Sequence, residues 1–420
     1  MVRVAYSLFL YVLSPLIFLQ LWLRGRKASA YRKRWNERLG FYQTPIQTGN
    51  LVIHCASVGE IIAASPLIKQ LMAKFSEHQI TITCNTPTGS EQIAKIFGNS
   101  VQQLYLPLDF HGSVKRFLHK LQPAAIIILE TELWPNLLLQ AKQRQIPVMV
   151  VNARLSEKSL KGYQLFAPLS RQLMRSITGL AGHNQEDVAR FKLLGLKDSR
   201  STVVGSIKFD IQLSKQAKDS AQQLKHALNN YDFVWVAGST HPGEHEQTIA
   251  AHKLLCSQYA RSLLIIAPRH PEQFNNVAEL LKDENIAFAR WSARNLVDQP
   301  VLLADTMGEM LTFFGAANCA FIGGSLIDRG GHNPLEAAAL GIPVLTGPSY
   351  YNFQHIFPQL IANNACTKVN DSSALCNQLT VYANSPKQAR LDGEQALKIV
   401  QGNSGAIEKT LSMLEPHLSK

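Results

Sequence analysis

The chain has 420 residues and carries 42 Lys and Arg against 30 Asp and Glu, a net charge of +12. That length excludes one comfortable hydrophobic core and admits two ordinary α/β domains. The positive balance points to anionic partners without saying which.

The first predicted element is an uncharged, apolar run from Val4 to Leu23. At about twenty residues it is long enough to cross a bilayer as a helix, and Pro15 is tolerable in that setting. A basic collar follows: Arg24, Arg26, Lys27, Arg32, Lys33, Arg34 and Arg38, opposed only by Glu37, hold half of the net charge. The charges follow the apolar run, and the small residues Ala28, Ser29 and Ala30 lie beyond them, so an uncleaved anchor fits better than a cleaved signal. The positive-inside rule then puts the body in the cytoplasm with its collar against anionic headgroups. An amphipathic helix lying on the membrane is the alternative, given Pro15 and Gln20.

Apolar strand-like runs recur next at Leu51 to Cys55, Ile80 to Cys84, Ala124 to Leu129, Pro147 to Val151 and Val203 to Gly205, with helical stretches such as Ile61 to Phe75 between them. This alternation predicts a parallel, doubly wound sheet. The chain turns polar from Ile211 to Asn230, which places the domain junction there. A second series then runs through Phe233 to Ala237, Leu263 to Ala267, Val301 to Ala304, Cys319 to Ile322 and Pro343 to Leu345. Two such sheets predict ligands in a cleft at the carboxyl ends of their strands.

The residues at those ends carry the chemistry. Glu60, in Ala56-Ser57-Val58-Gly59-Glu60, closes a Ser57-x-x-Glu60 capping box, yet Gly59 beside it permits close approach by another chain or a substrate. Glu130-Thr131-Glu132-Leu133-Trp134-Pro135-Asn136 puts two acids beside an aromatic, which suits sugar chemistry as well as helix capping or arginine binding. Lys208 follows a short strand and is either a phosphate contact or an ordinary solvated lysine. Arg269, in Pro268-Arg269-His270, has the planar fork that grips phosphate. Thr306-Met307-Gly308-Glu309 reads as another capping box, with Gly308 leaving room for a ring or ribose. Finally Gly323-Gly324-Ser325, Gly330-Gly331 and His332-Asn333-Pro334-Leu335-Glu336 read as an anion cradle, with Asn333 the N-cap, Pro334 the first helical residue and Glu336 the third.

Six cysteines without a CxxC pair look like buried free thiols in a reducing compartment. His241 and His245 do not make a zinc motif, because Ile249 stands where a His-Glu-x-x-His ligand is needed. A nucleic-acid scaffold would explain the charge but leaves the strand-end motifs idle.

Taken together with Asn152-Ala153-Arg154-Leu155-Ser156 and the Arg34-Trp35-Asn36-Glu37-Arg38-Leu39-Gly40 collar, these motifs resemble the 3-deoxy-D-manno-octulosonic acid (Kdo) transferases of lipopolysaccharide synthesis, nearly end to end. The resemblance implies an α/β GT-B fold: two Rossmann-like doubly wound domains facing a cleft, plus an N-terminal membrane-anchor helix. The expected division is 1–40 for anchor and collar, 41–220 for an acceptor domain and 221–420 for a CMP-Kdo domain. It implies transfer of Kdo from CMP-Kdo to a lipid A precursor, lipid IVA, at the cytoplasmic face of the bacterial inner membrane, with inversion. Neither metal, cofactor nor nucleic acid is expected. Glu60 would be the base, with Glu130 and Lys208 supporting the transition state. CMP contacts fall on Pro268, Arg269, Met307, Gly308, Glu309, Asn333, Pro334, Leu335 and Glu336. A different GT-B transferase or a nucleotide-sugar epimerase would share the fold.

Overall fold

A computed structural model describes residues 2–43, 45–211, 213–294 and 298–418. The chain divides into two compact units, Met1–Asp210 with Ser404–Lys420, and Ile211–Asn403. The first holds strands β1 (Leu51–His54), β2 (Ile80–Cys84), β3 (Gln102–Tyr105), β4 (Ala125–Leu129), β5 (Val148–Ala153), β6 (Gly179–Gly182) and β7 (Ser201–Val203), in the order β3-β2-β1-β4-β5-β6-β7. The second holds β8 (Phe233–Thr240), β9 (Ser262–Pro268), β10 (Phe288–Arg290), β11 (Val301–Leu303), β12 (Cys319–Ile322), β13 (Val344–Thr346) and β14 (Cys366–Lys368), in the order β10-β11-β9-β8-β12-β13-β14. Every pairing is parallel. The helices that bear on function are α1 (Val2–Lys27), α2 (Val58–Lys74), α3 (Pro135–Gln143), α4 (Glu157–Leu165), α5 (Ala167–Met174), α6 (Lys215–Ala227), α7 (Met310–Ala316), α8 (Leu335–Ala339) and α9 (Ala406–Leu418).

The central strands are continuous apolar runs because helices cover both faces of the sheet. Successive residues feed opposite cores: Leu51 and Ile53 of β1 join Ile127 and Leu129 of β4 on one face, while Val52 joins Ile126 and Ile128 on the other. With both faces filled, the strand ends are left for chemistry. In the first unit the chain winds outward through β2 and β3, then returns to β4 on the other side of β1. In the second it leaves β8 for β9 on one side and β12 on the other. Each sheet thus has a switch point at its centre, where ligands gather in open α/β folds.

The domain limits differ from those expected. The division falls at 210/211, because α6 belongs wholly to the second unit: Ala221 sits so close to Gly315 of α7 that a Cβ there would lie 2.6 Å away. The last helix, α9, returns to the first unit rather than ending the second. Asp210 accepts hydrogen bonds at 2.5 Å from the backbone N–H groups of both Gly405 and Ile407, and Lys74 pairs with Glu415 at 2.9 Å. Met413 presses on Gly179 of β6, where a Cβ would meet its sulfur at 2.7 Å.

The collar also proves partly internal. Arg38 is buried and donates to the Asn85 carbonyl at 3.0 Å, Arg34 is paired with Glu37, and both guanidinium groups lie 4.3 Å from the centre of the Tyr105 ring. Glu37 in turn accepts the Tyr105 N–H at the edge strand β3. These two arginines secure the sheet edge, which leaves Arg24, Arg26, Arg32 and Lys33 to face outward.

Replacing Asp210 by alanine should free the start of α9. We expect a loss of about 1–2 kcal/mol from the first unit, the scale of a lost helix cap, with faster amide exchange in Ala406–Leu418. Urea denaturation and hydrogen exchange measure both.

Candidate active site

The loop after β1 forms the capping box that its sequence suggests, and more. Ser57 Oγ accepts from the Glu60 N–H at 3.3 Å and donates to Glu60 Oε1 at 2.9 Å, while Oε2 accepts from the Ala56 N–H at 2.8 Å. The carboxylate is therefore held rigidly at the strand end. Burial nevertheless pushes its pKa up to about 7; the bonds from Ala56 and Ser57 oppose this, and the nearby charges of Glu130 and Glu132 add to it. Beside it Gly59 faces open space: a Cβ on this residue would have only Ser57 Oγ within 4 Å, at 3.9 Å.

Across the switch point β4 ends in Glu130, whose backbone sits in the left-handed region at φ 56. Non-glycine residues adopt that geometry at a cost and tend to do so at functional sites. The Glu130 N–H still donates to the Val151 carbonyl at 3.0 Å, so the turn is tied to β5. Lys208 Nζ lies 3.9 Å from Glu130 Oε1, both side chains about one quarter exposed. Lys208 is placed by a second strained residue, Asn152 at φ 52, whose Oδ1 accepts the Ile207 N–H at 3.2 Å and meets His183 Nε2 at 2.6 Å. Glu132 is half-buried, and burial raises its pKa; the Trp134 side chain opposes the shift and Glu130 adds to it. Glu60, Glu130, Glu132 and Lys208 therefore form one cluster of three acids and a lysine.

In the second unit the loops after β8, β9, β11 and β12 hold the remaining candidates. Two expectations change here. The Gly323-Gly324-Ser325 cradle already contains an anion, the protein's own Glu244. This buried carboxylate accepts the N–H groups of Gly324 at 2.7 Å, Ser325 and Leu326 at 2.9 Å, and His241 at 3.1 Å. The helix beyond it begins later than expected: α8 runs from Leu335 with Pro334 at the N-cap position, although Asn333 Oδ1 still accepts the Leu335 N–H at 3.1 Å. Glu336 is thus the second helical residue. Burial raises its pKa, and it makes no hydrogen bond or ion pair among the described residues.

The Thr306–Glu309 pair is no backbone capping box either. Glu309 precedes α7 and its carboxylate takes the Thr306 hydroxyl, the Trp291 indole N–H at 3.0 Å and Arg294 at 3.2 Å. Burial favours its neutral form, but these three donors outweigh that and hold the carboxyl below its usual range. Met307 is 48% exposed, and Gly308, at φ 90, has nothing near its would-be Cβ. Pro268 ends β9, and the Arg269 N–H bonds the Thr240 carbonyl at 2.9 Å. The Arg269 guanidinium makes no ion pair or hydrogen bond among the described residues.

Beside it lies a group with little warning in the sequence. His241 and His332 stack with centroids 5.1 Å apart and Nε2 atoms 2.8 Å apart, and His270 meets His241 edge-on at 5.5 Å. Burial is the main cause that pushes the pKa of both stacked rings down to about 4; His270 and Arg269 act in the same direction on both, joined by Arg329 and His245 at His241 and by His241 at His332. Both are neutral at pH 7. The signal available was only their position, one residue after the β8 end and one after the second glycine pair.

Parallel sheets with acids at one switch point and an arginine–histidine cluster at the other define an α/β enzyme of the GT-B glycosyltransferase class. In keeping with that, a UDP-GlcNAc 2-epimerase from Neisseria meningitidis superposes over 88% of this chain and 99% of its own with a TM-score of 0.58, at 15% identity, a likeness of fold alone. A family model described as 3-deoxy-D-manno-octulosonic-acid transferase (kdotransferase) matches residues 33–211. The 3-deoxy-D-manno-octulosonic acid transferase of Haemophilus influenzae is 38% identical over 100% of this chain and 99% of its own, and that of Bordetella pertussis is 32% identical over 99% of each. The chain belongs to the Kdo transferase family.

Exchanging Glu244 for glutamine would turn an amide donor toward backbone donors. We expect roughly 3 kcal/mol of destabilisation in the second unit, from buried groups left unpaired. Thermal unfolding reads the loss.

Proposed function

We propose that the protein transfers Kdo from CMP-Kdo to a lipid A precursor, lipid IVA, at the cytoplasmic face of the bacterial inner membrane, inverting the anomeric carbon without a metal ion. The observation that carries this reading is Glu60, fixed at a switch point with a pKa near 7. A base is most effective when its pKa lies close to the working pH. Glu60 takes the proton from the acceptor hydroxyl as its oxygen attacks the anomeric carbon. The bond from that carbon to the phosphate oxygen breaks, and CMP departs with the electron pair.

Positive charge develops on the sugar ring during this step and negative charge on the leaving phosphate. Glu130 answers the first and Lys208 the second, a division that their pairing at 3.9 Å supports. Donor binding falls to the second unit. Arg269, without an internal partner among the described residues, supplies a fork for the phosphate, and Glu336, equally unengaged there, accepts from ribose hydroxyls. Because Glu244 occupies the Gly324–Leu326 amides, the phosphate relies more on side chains than on that backbone. Pro268, Met307, Gly308 and Asn333 through Leu335 shape the nucleotide's bed, and Glu309 positions its loop through Trp291 and Arg294.

The helix α1, long and apolar enough to cross a membrane, and its outward-facing basic residues support the membrane location. They attract anionic headgroups and a phosphorylated acceptor alike.

Glu60→Gln should retain CMP affinity and lose at least about a hundredfold in turnover. In the unaltered protein kcat/KM should rise with pH up to about 7 and then level, as the raised carboxyl gives up its proton; that limb should vanish in Glu60→Gln. Mass spectrometry of lipid IVA after incubation with CMP-Kdo provides the assay. Arg269→Ala should instead raise the donor KM, by about tenfold or more for a lost charge-assisted fork, with a smaller change in kcat.

A further inference from the structure

The helix α1 does not stand away from the body. Arg3 donates to Gln143 at 3.1 Å, the Tyr6 hydroxyl to Asp109 at 3.0 Å, and the Ser7 hydroxyl to Asn136 at 3.1 Å. Farther along, Tyr11 stacks on Phe110 at 5.2 Å and Phe18 packs against Trp35 at 5.4 Å. One side of the helix is thus fixed along the first unit over most of its length. The opposite side is apolar and bare: Val4 is 58% exposed, Leu8 61%, Val12 76% and Leu16 62%. A helix apolar on every side that gives only one side to protein needs hydrocarbon for the other.

Between α1 and the α4–α5 pair lies a groove of about 740 Å³, within the usual size range of ligand pockets. Phe9, Leu10, Trp134, Gly162, Tyr163 and Phe166 are among its lining residues, and none of the residues lining it is charged. Phe9 of α1 and Phe166 facing it across the groove, both lining it, are 61% and 66% exposed, so the groove opens beside the bare apolar side of α1. A nucleotide, a sugar or a peptide backbone would find almost nothing there to bond. At the other end the groove reaches the catalytic loop: Leu133, Trp134 and Pro135 line it, while Glu130 and Glu132 open the same loop. Lys158 and Lys161 stand exposed on α4, where headgroups would lie.

We propose that this groove holds one fatty acyl chain of the acceptor glycolipid and so leads the acceptor's sugar to the Glu60–Glu130–Glu132 cluster. The inference rests on the lipid acceptor put forward above. It makes α1 part of the acceptor site as well as an attachment to the membrane.

Gly162 offers the test, since its would-be Cβ meets nothing within 4 Å and a larger side chain there fills the groove without disturbing the fold. Gly162→Trp should raise the KM for lipid IVA by about tenfold, as several methylene groups lose their seat. Thermal stability, the KM for CMP-Kdo, and transfer to the same acceptor stripped of its acyl chains should stay unchanged. An unaltered KM for lipid IVA, or an equal loss with the deacylated acceptor, would overturn the proposal. A second readout needs no turnover: dibromostearic acid should quench Trp134, so quenching should fall in Trp134→Phe and in Gly162→Phe, which fills the groove without adding an indole. Quenching that is the same in all three proteins would reject the groove as an acyl site. Failure of the unaltered enzyme to modify lipid IVA, with Trp134 quenching intact, would remove the assigned acceptor and leave the acyl groove standing.

Discussion

The winding of each parallel sheet governs where chemistry can occur in this protein. Parallel strands need crossover connections, and in each sheet the chain winds to one side of its first strand, β1 or β8, before it returns to the other side. Helices then cover both faces but not the carboxyl ends of the two central strands, which leaves an uncovered crevice at β1/β4 and another at β8/β12. Glu60 and Glu130 stand at the first, and His241 and Gly323 follow the strands of the second. Three of the nine left-handed non-glycine residues among the described residues, Glu130, Asn152 and Ser239, follow central strands or lie near their ends. Such strain persists only where surrounding bonds hold it, and Asn152 shows how, with one amide oxygen gathering His183 and the Lys208 turn.

Two carboxylates illustrate how the same chemistry serves different ends. Glu60 receives a backbone bond and a serine bond, yet its pKa rises, because burial and two neighbouring acids outweigh those donors. Glu244 receives four backbone N–H groups and organises the loop after β12. One stands at a strand end beside other acids; the other is spent on holding backbone. The number of donors turned toward each is what no spacing of residue types reveals.

The first unit combines a polar acid cluster with an apolar surface. Asp109 links them: it accepts the N–H groups of Asn136 and Leu137 at the start of α3 and the Tyr6 hydroxyl from α1. The loop that begins with Glu130 is thereby pinned at its far end by the residue that also fastens α1. The apolar helix and the acid-bearing loop thus share one anchor.

The alternation of strands and helices, the apolar first helix and most of the residues at the strand ends were legible in the chain alone, because buried parallel strands must be apolar along their whole length and stop abruptly at glycine and acid. Strands β3, β6, β10 and β14 were not. Three of these are short sheet edges, half polar as edges are, and β6 is built of Gly179-Leu180-Ala181-Gly182, small because Met413 and Val188 crowd it. Folding in three dimensions was needed to return α9 to the first unit, to set Arg34 and Arg38 on a sheet edge, and to put Glu244 in the cradle predicted for a ligand. Each of these depends on partners distant in sequence, and a local pattern records the need for a partner without recording which one meets it.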